Sequence, residues 1–218
     1  MGDGEPSEAP SVDVALTAVV VEVDDAALLP EFVALADGLP VVLTQANAVD
    51  LLAVAGALGP PPPHWSLLVP LGAGRATSVL VRELVTVDHL GGGRWRVVLD
   101  ARGRTPGQLH DDLGIISAMT DHVVASYHGA TASIHDAANR PGFLTEGGPV
   151  VEVLVEHLGR PRASGSRLEV LEVVAGGGTS TLLVETRSGV KRWDWCTSMR
   201  AGLDALGQRA RSLGASGQ

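Results

Sequence analysis

The sequence predicts a protein of the α/β to α+β class, in which an N-terminal β-α-β-α-β layer precedes an antiparallel sheet with two helices. Short apolar runs alternate with helical patterns up to residue 71, which is typical of parallel strands joined by helical crossovers. Glycine-rich turns then separate the apolar runs within 77–100 and within 168–186, and this spacing indicates antiparallel hairpins. A helical pattern follows each hairpin and completes the predicted fold.

The first half of the chain has the pattern of three strands and two helices. Each predicted strand is short, apolar and rich in β-branched residues, and the three cover 14–23, 40–44 and 65–71. The first helix ends at Gly38, and its apolar face comprises Leu28, Leu29, Phe32, Val33 and Ala36. The second helix covers 46–58 and is stopped by the prolines of 60–63.

The carboxyl ends of these strands are candidate ligand positions, because parallel α/β sheets bind ligands beyond that edge. They offer Asp24 and Asp25, then Thr44 and Gln45, and finally the glycine-rich segment 72–75. That segment lacks the third glycine of a dinucleotide-binding motif. A plain turn is therefore the simpler interpretation of it, and a phosphate site is the alternative.

The second half is predicted to contain two antiparallel hairpins. In the first, strands over 77–87 and 94–100 flank a glycine turn at 91–93, and in the second, apolar runs flank the glycines of 176–178. Each hairpin precedes an arginine, a glycine and a helical pattern. A duplicated ββα unit is therefore one interpretation, and two unrelated hairpins are the other.

The helices of the second half have clear starting signals. Thr105 is predicted to cap a helix that begins at Pro106, with Gln108 completing a capping box. A strand is predicted over 150–156, and the last helix, over 197–213, has one apolar stripe. That stripe favours docking on the sheet of the same chain, with a partner-binding helix as the alternative.

The domain organisation follows from composition. Residues 1–11 are acidic and rich in glycine and proline, so they are predicted to form a flexible tail. The remainder, 12–218, is predicted to be a single α/β domain, within which 12–75 and 76–218 are two sub-divisions.

Composition and charge exclude several classes of protein. No apolar run approaches the ~20 residues of a bilayer-spanning helix, so no membrane partner is predicted. The net charge is −9 and the basic residues form no dense cluster, whereas a nucleic-acid binder normally has a basic face. No nucleic-acid partner is therefore predicted. The single cysteine and the lack of a basic leader favour a cytoplasmic location.

The segment 121–136 carries the candidate catalytic residues. Two short runs rich in β-branched and small residues flank His128 and Gly129, which is the pattern of a tight hairpin. Pairing Tyr127 with Ala130 would set His122 opposite His135 and Asp121 opposite Asp136, at Cβ separations of about 4.5–5.5 Å. Two imidazoles and two carboxylates could bind a divalent metal, or supply a histidine base oriented by an aspartate. The alternative is that these polar residues are solvated strand ends.

Candidate ligand-binding residues lie at the turn and after it. They are Tyr127 and His128 beside the turn, and Asn139 and Arg140 at the start of the long loop 137–148. Loops of this length frequently bind ligands. The alternative is a structural connection whose aromatic residue packs into the core.

Cys196 has two interpretations. It lies near the start of the last helix, where a helix N-terminus can lower the pKa of a thiol and make it a nucleophile. A lone cysteine is more often an inert packing residue, and this is the favoured interpretation.

Two functional hypotheses follow. The first is a non-enzymatic accessory or regulatory module that binds a protein partner or a small ligand, because no motif specifies a reaction. The second is a hydrolase-like enzyme that uses His122, His135, Asp121 and Asp136, with or without a divalent metal as cofactor.

Overall fold

Eight strands of the chain close into one barrel. The computed structural model describes residues 16–36, 38–45, 50–72, 74–144, 148–149, 151–156, 168–176, 181–186 and 189–215. In chain order the elements are β1 (Leu16–Val23), a 3-10 turn (Ala26–Leu28), α1 (Leu29–Leu35), β2 (Val41–Gln45), α2 (Leu51–Leu58), β3 (Trp65–Pro70), α3 (Thr77–Leu90), β4 (Arg96–Asp100), α4 (Pro106–Asp121), β5 (Val124–His128), β6 (Ser133–Ala138), β7 (Val151–Glu156), β8 (Leu168–Gly176), β9 (Thr181–Thr186), β10 (Gly189–Cys196) and α5 (Met199–Ala215). None of the described helices is long and apolar enough to span a membrane.

The barrel is almost entirely parallel. The strands follow the order β1-β10-β9-β8-β7-β4-β3-β2, and β2 returns to β1. Every neighbouring pair is parallel except the two that involve β9, which runs antiparallel to both β8 and β10. Strands β5 and β6 form a separate two-stranded sheet. The predicted open layer followed by an antiparallel sheet is therefore wrong.

The segment predicted as a strand over 77–87 is helix α3. Its β-branched residues gave it the composition of a strand, but the buried residues Leu80, Val81, Leu84 and Val87 follow the spacing of one helical face. Tertiary burial outweighs local propensity here. With a helix between them, β3 and β4 pair in parallel, so neither the first hairpin nor the duplicated ββα unit exists.

The strand that closes the barrel was not among the predicted elements. Strand β10 pairs in parallel with β1, with Val20 opposite Trp195. The two tryptophans of β10 point inward, but they alternate with the polar, outward residues Arg192 and Asp194. The segment as a whole therefore does not have the apolar composition of a buried strand. A half-apolar strand of this kind gives a weak signal in sequence.

Other predicted elements are confirmed. Thr105 accepts from the backbone N–H of Gln108 at 3.3 Å, and the Gln108 side chain accepts from the Thr105 backbone N–H at 3.0 Å, so the capping box exists as predicted. The antiparallel pair β8–β9 and the terminal helix α5 are also present. Helix α5 docks on α1 and β1 of its own chain.

The chain has two apolar cores, one on each side of the barrel wall. The outer core lies between the strands and the helices. The inner core fills the barrel, and its buried residues are Ala18, Val20, Val42, Leu68, Val98, Leu154, Leu171, Val173, Val184 and Trp193. Because side chains alternate along a strand, the residues two positions further on, such as Glu22, Thr44 and Asp100, face the same interior at its carboxyl end.

The β5–β6 hairpin is held on α4 by one buried carboxylate. Asp111 accepts from the Tyr127 hydroxyl at 3.1 Å, from the Thr131 backbone N–H at 2.5 Å and hydroxyl at 2.6 Å, and from the Ala132 backbone N–H at 3.1 Å. These bonds, those of Thr131 above all, hold the pKa of Asp111 far below its ordinary value. A Cβ at Gly129 would collide with the same carboxylate, so only glycine allows this approach.

Substituting Asp111→Asn is expected to lower stability at neutral pH, because an amide presents one acceptor oxygen and no charge to these four donors. Because the pKa of Asp111 is lowered in the folded state, the wild type has its full excess in free energy of unfolding over Asp111→Asn above the ordinary aspartate pKa of about 3.9. This excess decreases as the pH falls below that value. Urea unfolding at pH 7 and pH 3 measures both effects. Asp121→Asn, at the exposed end of the same helix, is the matched control. Equal midpoints for wild type and Asp111→Asn at pH 7 would contradict this account.

Candidate functional site

Polar side chains collect at the barrel opening where the parallel strands end. By the alternation of the strands, Glu22 of β1, Thr44 of β2, Asp100 of β4 and Glu156 of β7 belong to the inward face at this end. Barrels of parallel strands and helices place their functional groups at this carboxyl end, because the loops that follow the strands converge there. This opening, the mouth of the barrel, is therefore the candidate site.

A cleft of about 240 Å³ lies at the mouth. It is lined by Glu22, Arg102, Leu182, Trp195 and Thr197. Leu182 and Trp195 supply apolar surface. Hydrogen-bond donors and acceptors come from Glu22, Arg102 and Thr197. The cleft thus combines an apolar, partly aromatic surface with hydrogen-bonding groups.

Arg102 is a fixed cation in the wall of this cleft. Its Nε and Nη2 atoms donate to the two oxygens of Asp100 at 2.9 and 2.7 Å, and its guanidinium carbon lies 5.1 Å from the ring centre of Trp195. The hydrogen bonds to Asp100 raise the pKa of Arg102, burial lowers it, and the charges of Asp100 and Glu156 raise it again. The bidentate pair and the aromatic ring fix the plane of the guanidinium.

Trp195 is held from its other side by Glu22. The indole Nε1 donates to a carboxylate oxygen of Glu22 at 2.8 Å. A continuous chain of contacts thus crosses the mouth from Arg102 through Trp195 to Glu22. Because the ring is held on both sides, it presents a surface of fixed orientation to the cleft.

A buried ion pair supports the loop that carries Arg102. Arg104 donates to one oxygen of Asp112 at 2.9 and 2.6 Å, and Thr77 donates to the other at 2.5 Å. Gly72 has φ of 72°, and a Cβ there would overlap the Arg104 guanidinium. These contacts join the starts of α3 and α4 to the end of β3, and so fix the loops around the mouth.

Arg75 follows β3 and is incompletely paired. Its Nη1 forms an ion pair with Glu83, whereas Nε and Nη2 are buried and find no hydrogen-bond partner within the part of the chain that the structure describes. Burial raises the pKa of Glu83 and the charge of Arg75 lowers it. Unsatisfied buried donors of a cation are costly, and because both nitrogens are closed to solvent they do not form an open ligand site.

The other residues predicted at strand ends have structural roles. Asp24 accepts from the Met199 backbone N–H at 2.8 Å at the start of α5, and Asp25 accepts from the Ala27 backbone N–H at 2.9 Å. Thr44 donates to the Leu68 carbonyl at 3.2 Å. The cleft lies at the edge of the sheet that the strand-end rule indicates, but these three residues do not line it.

The predicted hairpin exists, but its register differs from the prediction. Tyr127 pairs with Ile134, and His128 with Ser133, so the chain reverses through four residues instead of two. The predicted pairing of His122 with His135 is wrong, and the ring of His135 instead lies 4.5 Å from that of His128, centroid to centroid. Gly129 and Ala132 close the turn, because the Gly129 N–H donates to the Ala132 carbonyl at 3.0 Å.

The remaining predicted site residues are dispersed. Asp121 accepts from Ser117 and Asp136 from Ser126, each within its own local contact. Asn139 is buried and donates to the Met119 carbonyl at 2.8 Å, and Arg140 is exposed. In the described ranges, no group of three or more histidine, cysteine, aspartate or glutamate side chains could hold a metal ion.

Cys196 packs partly against the outer core. Burial, followed by the charge of Asp194, raises the pKa of its thiol. A raised pKa keeps the thiol protonated at neutral pH, which agrees with the interpretation of Cys196 as a packing residue.

Several solved structures resemble this barrel. No protein-family model matches the chain, and no curated protein is significantly similar to it. The coenzyme F420-dependent tetrahydromethanopterin reductase of Methanopyrus kandleri is similar with a TM-score of 0.53 and 10% identity, over 64% of this chain and 50% of that chain. A monooxygenase of Streptomyces bottropensis follows with a TM-score of 0.48 and 12% identity, over 62% of this chain and 53% of that one.

A type II Baeyer-Villiger monooxygenase from the CAM plasmid of Pseudomonas putida, solved with FMN, has a TM-score of 0.45 and 9% identity, over 66% of this chain and 52% of that chain. The chain thus spans about half the length of the structures that it resembles. At such identities the likeness describes the fold alone.

Both functional predictions from the sequence are corrected. The prediction of a non-enzymatic accessory or regulatory module is wrong, because the chain folds as a barrel similar to that of a reductase. The hydrolase-like alternative is also wrong, because the observed register does not bring His122 to His135. The residues that line the mouth were missed because Trp195 and Glu22 lie on strands paired only through barrel closure.

The Arg102–Asp100 pair is expected to contribute a measurable coupling to stability. In a double-mutant cycle with Arg102→Ala and Asp100→Ala, we expect a coupling of about 1 kcal/mol, at the upper end for partly exposed pairs, because the contact is bidentate. The control cycle is Arg96 with Glu152 at the opposite end of the barrel, where the arginine side chain is 45% exposed. A coupling at Arg102 no larger than at Arg96 would contradict the fixed geometry described here.

Proposed function

We propose that this protein is an oxidoreductase that binds the tricyclic ring of a deazaflavin cofactor, of the F420 type, in the cleft at the mouth. The fold similarity to an F420-dependent reductase supports this proposal. The observation that carries it is the chain of contacts from Glu22 through Trp195 to Arg102, which forms a rigid wall with polar groups at both ends.

The described residues fit the ring of such a cofactor. Trp195 and Leu182 offer apolar surface to its flat face. The pyrimidine edge of a flavin-type ring carries carbonyl oxygens and an N–H group. Arg102 can donate to those oxygens, and the second carboxylate oxygen of Glu22 can accept from the N–H. The cleft has a volume of about 240 Å³, so only part of a cofactor would lie within it and the rest would extend outside.

The role of the chain in the reaction is to bind, orient and shield. A bound deazaflavin or flavin ring supplies the hydride chemistry. Trp195 and Leu182 exclude water from the ring face, while Arg102 and Glu22 fix its orientation. The cation at Arg102 would also favour negative charge on the adjacent carbonyl edge.

The proposal predicts that Trp195 binds the ring of the cofactor, whether or not the ligand carries an anionic tail. Titrations with F420, with FMN and with riboflavin, which lacks the phosphate, can be followed by fluorescence anisotropy of the ligand. We expect Trp195→Leu to weaken all three ligands by about 2- to 10-fold, the range of aromatic pair energies.

Two variants serve as controls. Arg82→Gln removes an exposed arginine from α3, and Val190→Ala changes an exposed apolar residue at the far end of the strand that carries Trp195. Both should bind the three ligands as the wild type does. The proposal is wrong if neither F420 nor FMN binds the wild type, or if Trp195→Leu binds them equally well.

A further inference from the structure

We propose that His128 and His135 form a two-imidazole binding site for a late divalent transition metal ion, such as Cu²⁺ or Zn²⁺, on the exposed face of the β5–β6 hairpin. The ring centroids are 4.5 Å apart and the ring planes are inclined by 65°. Both side chains are exposed, so an ion can reach them from solvent. The site is independent of the proposed cofactor at the mouth.

The hairpin register places both rings on the same face. His128 pairs with Ser133, and His135 lies two residues further along β6, at the diagonal position. Diagonal neighbours on one face are within reach of each other when the side chains are long or aromatic. The opposite face packs on α4 through the buried Ala125 and the half-buried Tyr127. The outward orientation of the two histidines is therefore a consequence of how the hairpin docks.

The backbone beneath the pair is fixed before any ion binds. Four hydrogen bonds to Asp111 hold the turn. On the exposed face, Ser126 accepts from the Asp136 backbone N–H at 3.0 Å and donates to its carboxylate at 3.3 Å, which ties β5 to β6 next to His135. Preorganisation of this kind reduces the entropy lost on binding.

The chemistry of the pair selects the class of ion. Imidazole nitrogens suit Zn²⁺, Ni²⁺ and Cu²⁺, with Cu²⁺ bound most strongly at a given site. Two nitrogens at about 2.0–2.1 Å from a shared ion lie roughly 3 Å apart, which two rings already in contact can reach by side-chain rotation. No third protein ligand of the usual types is close enough within the described ranges. Water would therefore complete the coordination.

Calorimetric titration of the purified protein with CuSO₄ or ZnCl₂ tests this site. We expect one ion per chain, and about tenfold or greater loss of affinity in both His128→Asn and His135→Asn. Each variant loses a direct ligand, and even the loss of a group that only supports a ligand costs about tenfold or more. The matched control is His64→Asn, an exposed histidine before β3 with φ of 70°, where asparagine is tolerated. The control should bind as the wild type does.

A second measurement separates metal binding from folding. Without metal, the two hairpin variants should keep the wild-type melting temperature, because the imidazoles are exposed. With saturating Cu²⁺, only the wild type and His64→Asn should gain thermal stability. The proposal is overturned if Cu²⁺ does not bind the wild type, if either hairpin variant keeps wild-type affinity, or if His64→Asn loses as much affinity as they do.

Discussion

The pairing of the first strand with the last closes the barrel and sets the geometry of the mouth. Strand β1 pairs in parallel with β10, and this register sets Val20 opposite Trp195. It also brings the Trp195 indole to Glu22, a residue 173 positions away in sequence, at 2.8 Å. Since side chains alternate with a period of two, a shift of one residue would turn the whole inward face of β10 outward. The mouth therefore exists only in the closed register.

The barrel wall is built in two ways. From β1 to β4, each strand is followed by a helix that packs on the outer side of the wall. From β8 to β10, the strands are joined only by 177–180 and 187–188, and one of them runs antiparallel. The exposed outward residues Val174 and Val190 mark this second part of the wall. The inner core nevertheless continues without interruption through Val173, Val184 and Trp193, so the interior does not depend on a helix outside every strand.

The charged side chains at the mouth mainly hold neighbouring side chains in a fixed orientation, and they add little to the stability of the fold. Arg102 lies between Asp100, Glu156 and the ring of Trp195, in a partly exposed setting where ion pairs contribute little free energy. Its two parallel hydrogen bonds give direction, which a ligand site requires. Arg104 and the buried Asp112 perform a similar task for the loops around the mouth. The hairpin on α4 is separate from this system, and its own carboxylate, Asp111, fixes the two histidines on its exposed face.

Much of the local structure of this protein can be predicted from its amino-acid pattern alone. The capping box at Thr105, the first three strands, the β8–β9 pair and the terminal helix all follow from patterns contained in a few neighbouring residues. The helical state of α3, the strand β10 and the true register of the β5–β6 hairpin were decided by tertiary structure. In each case the deciding interaction joins distant residues: the α3 face is buried on the barrel, β10 pairs with β1, and Asp111 fixes a turn of four residues. Local patterns do not contain these contacts, because burial and pairing depend on which surfaces the closed barrel brings together.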